Sequence, residues 1–183
     1  MARLALNLII ITLSFISCKS KQETKLQYYP VGLFLENELK LIDSLKPNIT
    51  HYYGDKNQTQ TDFISFTNFK KIVGELLLDK LSKPDALNNY EENIIHDLQL
   101  DFVNLNYISV ENDINSIDVH IDPVNDKVRS VYVNKEESKG DHKTTSKILW
   151  TSEKQLLINT IYKNKEGVSY KTDRYNWSAI NTK

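Results

Sequence analysis

Ile114-Asn115-Ser116-Ile117-Asp118-Val119-His120-Ile121-Asp122-Pro123-Val124-Asn125-Asp126-Lys127-Val128-Arg129-Ser130-Val131-Tyr132-Val133 reads as two strands joined by a turn. Ile117, Val119 and Ile121 alternate with Asp118, His120 and Asp122. That period of two gives one face to a core and the other to water. Pro123-Val124-Asn125-Asp126 is turn chemistry, because proline presets φ and Asn and Asp tolerate left-handed backbone. Val131 and Val133 then restart the alternation. A parallel return would need a crossover of a dozen or more residues, so the pair is antiparallel.

The same pattern extends on both sides. Residues 98–109, 114–122, 127–134, 143–151, 154–163 and 168–177 carry β-branched and aromatic residues in rough alternation. Short turns separate them: Glu111-Asn112-Asp113, residues 136–141 with Gly140, Ser152-Glu153, and Asn164-Lys165-Glu166-Gly167. These links predict an antiparallel meander. Its expected core face holds Ile117, Val119, Ile121, Val131, Val133, Ile148, Trp150, Leu156 and Ile158.

Two helical patterns precede these strands. In residues 31–45, Leu35, Leu39 and Ile42 fall at i, i+4 and i+7, and Pro47 ends the run. After a lead of Asp62 to Phe66, Thr67 is the expected N-cap. Phe69, Ile72, Val73, Leu76, Leu77 and Leu81 then share a face. Gly74 costs about 1 kcal/mol relative to Ala inside a helix, so it is expected to mark close packing. Residues 48–61 are polar and are expected to form a surface loop, and residues 86–97 a short helix or packed loop. The expected fold class is therefore α+β: two N-terminal helices packed on one face of an antiparallel meander sheet of about six strands.

The N-terminus has a different logic. Arg3 supplies positive charge, residues 4–16 are apolar, and Ser17 precedes Cys18, the one cysteine of the chain. This is the pattern of a secretory leader, and it is too short for a spanning helix, which needs about 20 apolar residues. Phe15-Ile16-Ser17-Cys18 resembles a bacterial lipobox, although Phe15 replaces the commoner leucine. The resemblance implies cleavage before Cys18 and acylation of its thiol. The expected organisation is a lipoprotein signal peptide at residues 1–17, a lipidated Cys18 and flexible tether at residues 18–30, and one α+β domain at residues 31–183. Each buried methylene contributes about 0.8 kcal/mol, so more than one acyl chain gives stable membrane residence.

Composition narrows the function classes. Removing residues 1–17 of 183 leaves 166 residues and loses only Arg3 of the 23 basic residues, leaving 22 against 24 acidic. That balance argues against a nucleic-acid partner, which calls for a basic excess. With Cys18 acylated no disulfide can form, so apolar burial must hold the fold. Only five glycines and four prolines argue against a turn-dense sandwich.

Asp118, His120 and Asp122 are the most specific polar cluster. Two carboxylates and an imidazole on one strand face are a weak candidate metal set. The simpler reading is a solvated face, and no metal or other cofactor is expected. His51, His96 and His142 fall in expected loops or strand ends without ligand spacing. Asp55-Lys56-Asn57-Gln58-Thr59 lacks the central glycine of a calcium loop, and Phe66 stands where its glutamate belongs. No nucleophile elbow or phosphate loop occurs, so no catalytic residue is assigned. The late aromatics Tyr132, Trp150, Tyr162, Tyr170, Tyr175 and Trp177 suit cross-strand packing, with a sugar platform as the rival. Asp43-Ser44-Leu45 fits a short O-glycosylation pattern of Bacteroidota, and Asn48-Ile49-Thr50 fits the N-glycosylation sequon.

Ser17-Cys18, the lead Phe63-Ile64-Ser65-Phe66, the segment from Val119 to Pro123 and on to Val133, and the closing Tyr175-Asn176-Trp177 together resemble small Bacteroidota lipoproteins of unassigned function. The resemblance implies an address and a helix-then-sheet plan, and it carries over no active site. The expected role is a lipid-anchored cell-envelope protein, non-catalytic, held at the outer membrane, binding or assembling with an envelope protein or glycan. The rivals are a periplasmic carrier of an apolar ligand between the helices and a curved sheet, and a metal-assisted hydrolase.

Overall fold

The computed structural model describes residues 28–55, 58–99 and 101–177. The expected leader, Cys18 and most of the tether lie outside them. Helix α1, Val31–Leu45, matches its expected span. It ends where Lys46 turns left-handed (φ 43°) and its N–H donates to Ile42, just before Pro47. Strands β1 (Ile49–Gly54) and β2 (Thr59–Ile64) follow. Helix α2 starts as Phe66–Val73, passes through a π-helical turn at Gly74–Leu78 and closes at Asp79–Leu81. Seven strands follow among the described residues: β3 (Glu91–Asp97), β4 (Phe102–Ile108), β5 (Ile114–Ile121), β6 (Val128–Lys139), β7 (His142–Thr151), β8 (Gln155–Asn164) and β9 (Gly167–Trp177).

The strands form one antiparallel sheet in the order β2-β1-β9-β8-β7-β6-β5-β4-β3. The expected six-strand sheet behind two N-terminal helices is therefore wrong. The sheet has nine strands, and the β1–β2 hairpin falls between the helices. Residues 48–61, expected as a polar loop, form β1 and the first half of β2, and residues 62–64 of the lead complete β2. Residues 91–97, expected as a short helix or loop, form the edge strand β3. The six expected strands do occur, as β4 to β9.

The inner face carries the core. In register across β5, β6, β7, β8 and β9 run Val119, Val131, Trp150, Leu156 and Tyr175, all buried. Of the expected core face, Ile121 alone is half-buried. Both helices lie on this face. Phe69 of α2 sits 5.4–6.2 Å, centroid to centroid, from Trp150, Tyr175 and Trp177. Glu38 of α1 accepts the Trp150 indole N–H at 3.1 Å and the Glu153 N–H at 3.2 Å. A buried indole N–H without an acceptor is costly, so this carboxylate fixes α1 against the sheet.

Helix α2 departs from expectation in two details. Its N-cap is Ser65, whose hydroxyl accepts the Asn68 N–H at 3.3 Å, rather than Thr67. A Cβ at Gly74 would meet nothing within 4 Å, so that glycine marks no close packing. It opens the π-helical turn instead. Buried Phe69, Val73, Leu77 and Leu81 recur every four residues, a spacing that drifts around an α-helix of 3.6 residues per turn. The wider turn absorbs the drift and keeps all four on the sheet. Close packing occurs at Gly32, where an added Cβ would run into the Leu81 carbonyl.

The fold also claims residues ahead of α1. Tyr28 packs edge-on against Tyr107 with centroids 5.9 Å apart, and the Tyr29 N–H donates to the Tyr107 hydroxyl at 3.1 Å.

Candidate binding face

With the helices on one side, the opposite face of the central strands is the surface the domain leaves open. Backbone register fixes what it presents. Asn106, Asp118, Tyr132, Leu149, Leu157 and Arg174 stand in one row from β4 to β9, and Tyr52 of β1 extends it. A parallel row holds Asn104, His120, Ser130, Thr151, Gln155 and Asn176.

The candidate metal residues belong to this face but do not work together. Asp118 is half-buried, and its Oδ1 accepts the side-chain amides of Asn104 at 3.1 Å and Asn106 at 2.9 Å. His120 lies against the Phe102 ring with centroids 4.4 Å apart, and its Nδ1 pairs with the Ser130 hydroxyl at 3.1 Å. Burial pushes the His120 imidazole below its usual range, with Asp118 pulling the other way. Asp122 turns into the β5–β6 loop, where it accepts the Val124 N–H at 2.9 Å and pairs with Arg129 at 3.0 Å. Those two bonds hold its carboxyl below the ordinary range. Among the described residues no three His, Cys, Asp or Glu side chains gather as a metal set.

Asp118 and His120 are each positioned by neighbours on the face. The two amides converge on one oxygen of the Asp118 carboxylate and so fix the side chain on the face. The Tyr132 phenol is pushed up by burial and then by Asp118. At the other end of the row the Arg174 guanidinium lies 4.8 Å from the centroid of the Tyr52 ring. Beside it Tyr52, Leu157, Thr172 and Arg174 line a shallow hollow of about 170 Å³. From β5 to β9 is four strand spacings, so the Asp118 cluster and this hollow lie about 19 Å apart.

A second cluster went unseen in the sequence. His51 Nε2 pairs with Asp173 Oδ1 at 2.9 Å, and the imidazole stacks 4.3 Å from Tyr175 and 4.8 Å from Tyr53. Lys171 closes on the other Asp173 oxygen at 2.9 Å. His51 and Asp173 are 122 positions apart, and only the β1–β9 pairing brings them together. The one available signal was the β-rich run Ile49-Thr50-His51-Tyr52-Tyr53. This cluster is part of the inner face beside α2 and acts as a polar border to the core.

The late aromatics divide by role. Trp150, Tyr175 and Trp177 surround Phe69 in the core. Tyr132 is half-buried on the open face, and Tyr162 and Tyr170 are exposed. His96 lies in β3, and His142 opens β7. Ser44 of the short glycosylation pattern is exposed, its hydroxyl donating to the Leu41 carbonyl at 2.7 Å, and Asn48 is exposed.

A cleft of about 850 Å³ opens between the start of α1 and residues 81–88, at the edge of the helices rather than beneath them. Where a carrier would need room between helices and sheet, Leu35, Phe69, Tyr107, Ile117, Ile148 and Trp150 are fully buried. No helix among the described residues is long and apolar enough to cross a membrane.

No family model, curated protein or solved structure matches this chain.

Proposed function

We propose that this chain is a lipid-anchored cell-envelope protein whose folded domain is a non-catalytic binding module for an extended glycan. The observation that carries the reading is the spacing of two prepared polar stations on the helix-free face. One is the Asp118 carboxylate with its paired amides, flanked by Tyr132 and by His120 on Phe102. The other is the Tyr52–Arg174 hollow. A ligand touching both spans about 19 Å across the strands. Sugars suit such a face, since vicinal hydroxyls take a fixed carboxylate and amide while ring faces take their C–H surfaces. A peptide would instead add along a sheet edge through its main chain. The near-neutral charge of the chain fits a neutral glycan.

Affinity electrophoresis against xylan, laminarin, starch and mannan tests the binding. At least one should retard the protein, and Asp118→Ala and Tyr52→Ala should each weaken that retardation tenfold or more. No retardation by any of them, or unchanged retardation in both variants, would sink the glycan reading. The anchor is tested separately by radiolabelled palmitate. Label should enter the parent chain and be lost with Cys18→Ala, together with retention on membranes.

A further inference from the structure

We infer that the projecting tips of the β6–β7 and β8–β9 hairpins rest on the phospholipid surface of the membrane that holds the anchor. This orientation rests on the acylation of Cys18 proposed above. Three observations carry it.

The first is where the chain enters the fold. Tyr28 packs on Tyr107, one residue before the end of β4, and donates to the carbonyl of Tyr90 at 3.4 Å. Helix α1 then runs away from that end, because Glu38 reaches the β7–β8 turn at Glu153. Nine residues, 19–27, separate Cys18 from Tyr28, and a fully extended chain spans at most about 3.5 Å per residue. The end of the sheet holding the β4–β5 turn therefore lies within about 35 Å of the acyl chains.

The second is that two hairpins overhang at that same end. Lys135 of β6 pairs with Ile114, the first residue of β5. Residues 136–139 continue past it, paired with residues 142–145 of β7. Residues 161–164 and 167–170 form the matching extension of β8 and β9. Four residues at about 3.3 Å each carry these tips some 13 Å beyond the first residue of β5.

The third is what the tips display. Tyr162, Val168 and Tyr170 are exposed, with Lys139 and Lys163 beside them, while Lys143 and Lys165 are taken up by Glu136 and Asp141, each at 2.6 Å. Amphipathic tyrosine rings favour the headgroup level of a bilayer. That leaves Lys139 and Lys163 for anionic headgroups, each attracted within about a Debye length of the surface.

The test uses the complete acylated chain in vesicles of phosphatidylglycerol and phosphatidylcholine, 3:7. Cys18 is the one cysteine of the chain, so once it is acylated Val168→Cys introduces a single free thiol for a fluorophore. Val124→Cys, at the opposite end and 83% exposed against 50% for Val168, is the control. Quenching by nitroxide lipids should be at least threefold stronger at position 168 than at 124. Lys139→Glu with Lys163→Glu should remove that excess while the protein stays on the vesicles. Equal quenching at both positions, or stronger quenching at 124, overturns the orientation. Mass spectrometry of the parent chain separates the two ideas. An unacylated Cys18 overturns the anchor and this inference together, whereas an acylated chain with equal quenching overturns this inference alone.

Discussion

Phe69→Ala is the sharpest probe of how the helices are held. The ring is 0% exposed and stands among Trp150, Tyr175 and Trp177 at 5.6 Å from the second and 5.4 Å from the third. Truncating a buried Phe costs about 3–5 kcal/mol through lost transfer energy and the cavity left behind. Each ring pair adds about 0.5–1.5 kcal/mol beyond its area, which places this site in the upper half of that range, near about 4 kcal/mol. Domains of this kind are stable by about 5–15 kcal/mol, so the variant should fold with a much reduced margin. With a urea slope of about 2 kcal/mol/M, the unfolding midpoint should fall by about 2 M. Trp150 and Trp177 are the two tryptophans of the chain and both flank Phe69, so intrinsic fluorescence reads the same packing. Phe63→Ala is the matched control, because that ring is 72% exposed on β2 and its loss should move stability by no more than about 0.5 kcal/mol. A loss below about 1.5 kcal/mol for Phe69→Ala, or equal losses for the two variants, would show that the aromatic cluster does not dock α2.

Glu38→Ala should cost about 1–3 kcal/mol in urea unfolding by orphaning the Trp150 indole N–H, whereas Glu38→Gln, which keeps an acceptor, should cost less than half as much. Gly32→Ala should destabilise by about 1–3 kcal/mol because its methyl meets the Leu81 backbone. Gly74→Ala, in open space, should stabilise by up to about 1 kcal/mol; matching signs for the two glycines would refute the packing described. The phenols of Tyr90 and Tyr175 are pushed up to about 12, mainly by burial. Their contribution is therefore complete below the unfolded value of about 10 and lost as pH rises from there toward 12. A thermal-melt series should decline across that window, and Tyr175→Phe should flatten it. His120 has the opposite sign: its depressed pKa contributes stability above the unfolded value of about 6.5 that fades as pH falls below it. His120→Asn should remove that acid slope.

Much of the architecture was written where one face of a strand is buried. Ile117-Asp118-Val119-His120-Ile121 has to alternate because α1 and α2 cover one side of β5, and the period survives in the sequence. Strands β2 and β3 are edges, and most of their residues are exposed on both faces. Burial imposed no alternation on Thr59-Gln60-Thr61, which reads as a loop, or on Glu91-Glu92-Asn93, which reads as a short helix or packed loop. Helix α1 was legible to the residue because its apolar stripe and Pro47 agree. The start of α2 was misplaced because Ser65 and Thr67 both suit an N-cap, and only the backbone decides between them. The candidate face was half visible. Asp118 and His120 stood out by alternation, but Asn104, Asn106, Tyr52 and Arg174 join them only through sheet register, which no local pattern encodes.

Strand β1 sits beside β9, with Ile49 opposite Trp177 and Gly54 opposite Thr172. The β1–β2 hairpin thus has no permanent neighbour until the last strand exists. At about 10 residues per second of synthesis, the earliest strands wait on the order of ten seconds for the final one. Such distant pairing also slows the closing step itself. A chain released short of residue 167 would have a bare β8 and an orphaned hairpin, two sticky margins on one molecule. Quality control of this protein should therefore be most sensitive to premature termination, and far less so to changes on its open face.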